Sequence, residues 1–148
     1  MKRKSQESLT TKDLEGRVGC VALIFSSDRD FLDYYRGMFI KLGFTPVTTT
    51  TPEEALAILR LAIVGLVIVD QGKKIFESQH VLERARETQQ HAPVFIITRE
   101  PDQNYRHEVL AMGAAACLDH PALPDDIAHA LVTSDAREQR SAHRSHKA

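Results

Sequence analysis

Short apolar runs separated by amphipathic stretches predict a doubly wound α/β domain, a five-stranded parallel sheet with helices on both faces. Three observations carry that expectation. The runs are brief and rich in Val, Ile and Phe, as strands buried on both sides are. The segments between them have helical spacing and recognisable caps. The residues able to do chemistry stand just past the ends of the runs, at the edge where such sheets bind ligands.

The first run, Val18 to Phe25, leads into Ser26, Ser27 and Asp28. Phe31, Tyr34, Met38, Phe39 and Leu42 then recur at three and four spacing, with Gly43 where a left-handed C-cap belongs. Asp28 is expected to cap this helix, with Asp30 favouring its positive end. Of Tyr34 and Tyr35, one should be core and the other exposed. Thr45 to Thr49 is a weaker strand whose Pro46 argues for a sheet edge. Thr51-Pro52-Glu53-Glu54 reads as a capping box with proline at the first helical position, opening a helix through Ala55, Leu56, Ile58 and Leu59. Leu66 to Asp70 is the third strand, and Gln79 to Thr88 the third helix. Val94 to Thr98 is the fourth strand, followed by a helix over Gln103 to Met112 that Gly113 stops. Ala115 to Asp119 is the fifth strand, and the last helix spans Pro124 to Val132. The domain thus covers residues 18–132, between a flexible polar tail at 1–17 and another at 133–148.

Composition narrows the function. The chain of 148 residues is 43% hydrophobic and 26% charged, without Trp, which is ordinary for a globular domain large enough to fold without disulfides or metal. The formal charge of −1 divides into two faintly basic ends and a body of −5. No basic stripe lies on the predicted elements, so nucleic acid is not an expected partner. Polar residues up to Arg17 separate Met1-Lys-Arg-Lys4 from the first apolar run. That run is too short to cross a bilayer, so a cytoplasmic protein with no membrane association is expected. Cys20 and Cys117 fit that compartment as buried thiols. His143-x-x-His146 has half the spacing of a metal site and lacks further ligands.

The edge residues resemble those of the receiver domain of two-component response regulators (CheY-like), over about Val18 to Val132. Asp70 in Leu66-Val-Ile-Val-Asp70 resembles the phosphoacceptor that ends strand three, and Thr98 in Pro93-Val-Phe-Ile-Ile-Thr98 the hydroxyl that ends strand four. Gly113-Ala-Ala-Ala-Cys-Leu-Asp-His-Pro121 is similar to the family's Gly-Ala-x-x-Tyr-Leu-x-Lys-Pro turn, and Leu42-Gly-Phe44 to its Leu-Gly-Tyr turn. The resemblance implies a flavodoxin/CheY-like (βα)5 fold with strand order 2-1-3-4-5. It implies phosphorelay signalling without enzymatic activity, a histidine kinase or phosphotransfer protein as donor, and output through the helix 4, strand 5, helix 5 face. A homodimer stays open.

Departures from the pattern fall in the acidic pocket. The acid pair that holds Mg²⁺ falls on Ser26 and Ser27, the lysine before the proline is His120, and the rotating aromatic of strand five is Cys117. Mg²⁺ would be left with Asp70 and, one residue beyond the expected pair, Asp28, a weak donor set. Imidazole is a poorer cation than ammonium near neutral pH. Lys73 and Lys74 offer charge neutralisation without metal, unless they are simply solvated. A stand-alone receiver phosphorylated on Asp70 therefore competes with a phosphorylation-independent docking module. FMN binding is disfavoured: Ser26-Ser27 is followed by Asp28 and Asp30, with no glycine to admit a phosphate.

Overall fold

A computed structural model describes residues 17, 19–72, 75–89, 91–100 and 102–147, with backbone alone at 76 and 136–147. Strands β1 (Val21–Phe25), β2 (Thr45–Thr49), β3 (Leu66–Asp70), β4 (Val94–Thr98) and β5 (Ala116–Asp119) alternate with helices α1 (Arg29–Lys41), α2 (Pro52–Leu61), α3 (Ile75–Thr88), α4 (Gln103–Ala111) and α5 (Pro124–Lys147). The strands form one parallel sheet in the order β2-β1-β3-β4-β5. This is the fold class that the sequence predicts, with the strand order that the resemblance implies.

The sheet separates two cores, and strand alternation assigns residues to each. Ala22, Ile24, Leu66, Ile68, Phe95 and Ile97 pack with Phe31, Tyr35 and Phe39 of α1 and Ile127 and Leu131 of α5. Leu23, Phe25, Val67, Val69, Val94 and Ile96 face Leu59 of α2, Val81 and Leu82 of α3 and Val109 of α4. Both β3 and β4 are buried along their whole length. At roughly 25 cal/mol per Å² of apolar surface removed from water, these two cores supply most of the drive to fold. β2 lies at a sheet edge, where Pro46 removes no ladder donor that a second neighbour would need.

Local chemistry fixes where elements begin and end. The Asp28 carboxylate accepts from the Asp30 amide at 2.9 Å and caps α1. Thr51 and Glu54 form a reciprocal capping box on α2. Gly43 and Gly113 follow α1 and α4 with φ of 95° and 109°, a region that side chains with a Cβ avoid. Tyr35 is buried and Tyr34 is 38% exposed.

β1 begins at Val21 rather than Val18, and two helix boundaries differ further from expectation. α3 begins at Ile75 rather than Gln79: Ser78 is buried and its hydroxyl donates to the Ile75 carbonyl, so tertiary packing extends the helix through residues of modest propensity. α5 continues to Lys147, well past Val132. No Gly or Pro interrupts residues 125–147, and Ala, Arg, Glu, Gln and Lys there favour helix even without an apolar stripe. An ion pair between Arg17 and Asp135 ties this helix to the start of the body. The N-terminal tail up to residue 16 lies outside the described residues.

The entry into β3 is tight. A Cβ on Gly65 would stand 2.9 Å from the Cys20 Cβ. Gly65→Ala is therefore expected to lower stability by about 1 to 3 kcal/mol through overpacking, read as a lower urea midpoint at unchanged slope.

Candidate functional site

At the carboxyl ends of β1, β3 and β4, the loops enclose a cleft of about 470 Å³ lined by Ser26, Ser27, Asp28, Asp70, Gln71, Gly72, Glu77 and Arg99, with Phe25 at its base. Three of the sequence candidates thus converge on Asp70, as strand order demands. Asp70 ends β3 and is only 5% exposed. A carboxylate so placed needs compensating donors. One oxygen, Oδ2, accepts from the Ser26 hydroxyl at 2.7 Å, while Oδ1 accepts from the Gly72 amide at 3.1 Å. Ser26 is itself positioned, since its Oγ accepts from the Asp28 amide at 2.9 Å.

The counter-charge comes from a residue the sequence reading passed over. The Arg99 guanidinium lies 2.9 Å from Asp28 Oδ2 and 3.5 Å from Asp70 Oδ2, bridging the two carboxylates. It also rests over the Phe31 ring, 5.7 Å from the centroid. Arg99 follows Thr98 directly, so the rule that sends chemistry to strand ends reaches it by one further step. The hydrogen bond from Arg99 is the main reason the Asp28 carboxyl sits below the usual carboxylate range, reinforced by the amides of Asp30 and Phe31.

His120 is turned away from a lysine-like role. The Ala122 amide donates to the Tyr35 hydroxyl at 3.0 Å, and that hydroxyl lies 2.8 Å from His120 Nδ1. Burial pushes the Tyr35 phenol up to about 12, so it keeps its proton within this network. Burial and then the Arg99 charge lower the His120 pKa, so the ring is neutral at physiological pH. It stacks on Phe31 at 5.5 Å and meets Tyr34 edge-on.

Thr98 is buried, and its hydroxyl contacts the Gln71 amide oxygen and accepts from the Glu100 amide at 3.2 Å rather than bonding to Asp70. Cys117 belongs to the core cluster below α4, where burial raises its thiol pKa and makes it a poor thiolate. Tyr105 of α4 brings an aromatic ring into that cluster, beside Phe25 of β1. Its buried hydroxyl makes no hydrogen bond of good geometry among the described residues; the nearest polar group is the Ser78 hydroxyl on α3, whose own proton goes to the Ile75 carbonyl. Lys73 and Lys74 lie outside the described residues, as do the side chains of His143 and His146.

The donor set does not fit a divalent cation. Of the three carboxylates that line the cleft, Asp28 and Asp70 are already bridged by a guanidinium, Ser26 directs its proton at Asp70, and no group of three His, Cys, Asp or Glu side chains among the described residues is placed to hold a metal ion. The expected weak metal role of Asp28 and Asp70 thus meets a positive charge fixed between them.

No family model matches the chain, and no curated protein matches its sequence. Solved structures do. A receiver domain protein (CheY-like) from Methanospirillum hungatei is 21% identical, with a TM-score of 0.71 over 82% of this chain and 98% of that one. A response regulator from Thermotoga maritima is 20% identical, with a TM-score of 0.70 over 79% and 98%. One from Burkholderia pseudomallei, solved with a phosphorylated aspartic acid, a calcium ion and citrate, is 16% identical, with a TM-score of 0.71 over 84% of this chain and 74% of that one. The fold is that of response regulator receiver domains. No helix among the described residues is long and apolar enough to cross a membrane.

Two measurements test the electrostatics. Arg99→Gln should destabilise by about 1 to 2 kcal/mol, because a buried carboxylate loses its counter-charge while keeping two hydrogen bonds, and adding Asp70→Asn should recover most of the loss. The depressed Asp28 pKa contributes stability that is present above the usual value of 3.8 and lost as pH falls through the lower folded value, so Arg99→Gln should also flatten the acid limb below that pH. Tyr105 titrates at about 12 against 10.0 unfolded, so its contribution is present below pH 10 and lost between 10 and 12. Tyr105→Phe removes an unpaired hydroxyl. It should leave neutral-pH stability unchanged or raise it by about 1 kcal/mol, and should flatten the alkaline limb of a denaturation series.

Proposed function

We propose that this protein is a receiver-fold docking module that signals by binding other proteins, with Asp70 serving as a fixed structural anion rather than a phosphoacceptor. The bridge from Arg99 to both Asp28 and Asp70 carries this reading. Acceptor chemistry needs a carboxylate oxygen free to attack phosphorus and a cation free to neutralise the incoming phosphoryl group. Here both Asp70 oxygens accept hydrogen bonds, and the cation is bound to the carboxylates themselves. The output surface we assign is α4, β5 and α5, where Arg106 pairs with Asp119 and holds the Cys117 carbonyl. Partners of the histidine kinase or phosphotransfer class would then be bound rather than used as donors.

A second reading rests on the exposure of Arg99, 44% at the cleft mouth. A guanidinium so placed can turn from the carboxylates to phosphoryl oxygens, making Asp70 an acceptor that needs no metal. Incubation with acetyl phosphate followed by intact-mass measurement separates the readings. The docking module gains no phosphoryl mass with or without Mg²⁺, and Asp70→Asn leaves partner capture in cells unchanged. A mass gain in EDTA that Asp70→Asn abolishes would establish the metal-free acceptor. A gain that requires Mg²⁺ would sink both.

A further inference from the structure

Both ends of the sequence carry excess positive charge, and the fold brings them to the pole opposite Asp70. Residues 1–17 hold five Lys and Arg against three Asp and Glu, and residues 135–148 hold four against two, while the body between is at −5. α5 starts at Pro124, beyond the carboxyl end of β5. Its Asp135 pairs with Arg17, just before β1, so by that point the helix has returned to the amino ends of the strands. Among the described side chains, the last that α5 buries is Leu131. The helix continues to Lys147, about 24 Å further at 1.5 Å per residue.

The charges of this extension sort by face. Arg137, Arg140, Arg144 and Lys147 recur at spacings of three, four and three, on a strip about 80° wide that also holds the exposed His129. The acids Asp135 and Glu138 fall on the other side of the helix, four and seven residues on from Leu131. None of the four basic residues has an acid three or four positions away; at that spacing stand only Ser, Thr, Ala, His or one another. Like charges so arranged destabilise a helix. The helix dipole compensates in the last turn, where Arg144 and Lys147 stand, but not as far back as Arg137 and Arg140.

A polyanion relieves that repulsion, and composition selects which kind. From Thr133 to Lys147 no apolar side chain is larger than alanine. A bilayer needs an apolar face to bury, and a protein interface needs an apolar or aromatic centre. Charge alone remains, and the phosphate backbone of nucleic acid is the partner that charge alone can hold. A single helix also fits the major groove, about 12 Å wide. A last helix ending at Val132 carries no basic stripe, which is why nucleic acid is not expected from the sequence; α5, reaching Lys147, supplies one. We propose that the C-terminal part of α5 is a nucleic-acid contact, which holds duplex DNA by its phosphates without reading its sequence and acts independently of the Asp70 cleft.

Fluorescence anisotropy of a short labelled DNA duplex titrated with the full chain reads this directly. Affinity should fall with salt along a log–log slope of about −3 to −4, at roughly 0.9 per phosphate neutralised, and a duplex of unrelated sequence should bind equally well. Arg140→Gln combined with Arg144→Gln should weaken binding at least about tenfold at low salt and reduce the slope by about 2. A second variant keeps composition and net charge but moves two charges off the strip: Gln139→Arg with Arg140→Gln, and Arg144→Ser with Ser145→Arg. It should lose affinity at least about fivefold, because aligned charges and not total charge meet the phosphates. Circular dichroism checks that each variant keeps its helix content. Poly-glutamate and phosphatidylserine vesicles, at the same salt, should bind more weakly than the duplex. A wild type that does not bind the duplex at low salt, an exchange variant that binds as the wild type does, or poly-glutamate or vesicles bound as tightly as the duplex overturns the proposal.

Discussion

A carboxylate at the end of a fully buried central strand is an expensive thing to keep, and the chain organises its binding edge around keeping Asp70. Removing an ion from water costs several kcal/mol unless charge and hydrogen bonds compensate. The compensation comes from three elements at once. The β1 end supplies the Ser26 hydroxyl, the β3 loop supplies the Gly72 amide, and the β4 end supplies Arg99. Because Arg99 also holds Asp28, which caps α1, one guanidinium links the start of a helix to the ends of two strands. The loops that a receiver fold uses to respond are here cross-tied by groups of this chain.

The frame of the molecule was legible because its signals are local and redundant. Apolar runs, a capping box and two C-terminal glycines each mark element ends independently, and together they order the five units. The end of α5 was not legible, since no stop signal occurs and the expected end rested on the apolar face running out at Val132. That face tells where a helix meets the core, whereas the helix itself continues as long as propensity allows. The early start of α3 failed for the opposite reason, being set by burial of Ser78 rather than by any local preference.

At the site, the sequence located Asp70, Ser26, Asp28 and Thr98 but not their relation. The cations nearest to Asp70 in sequence are Lys73 and Lys74, outside the described residues. Parallel strands make a different set of neighbours. Asp70 pairs in register with Ile97, so the residue two positions on, Arg99, stands beside it although 29 positions away in the chain. Reading strand ends as one row across the sheet would have found it. His120 is a poor cation both by its imidazole and by burial, and Arg99, which the sequence did not place beside it, lowers its pKa further.

A switch requires an element with two arrangements of similar free energy, and a group whose partners are satisfied in one arrangement resists the other. Along the path from Asp70 to the α4–β5–α5 face, the polar groups are so satisfied: Thr98 by Gln71 and Glu100, His120 by Tyr35, and the Cys117 carbonyl by Arg106. The exception is Tyr105. It brings an aromatic ring from α4 into the cluster that holds Cys117, and among the described residues its hydroxyl is the one buried side-chain polar atom without a partner. Leaving a phenol hydroxyl unpaired costs about 1 to 3 kcal/mol, an amount comparable to the gap between two conformations of a signalling domain. Where this path retains any readiness to move, the packing concentrates it at α4 and away from the acidic site.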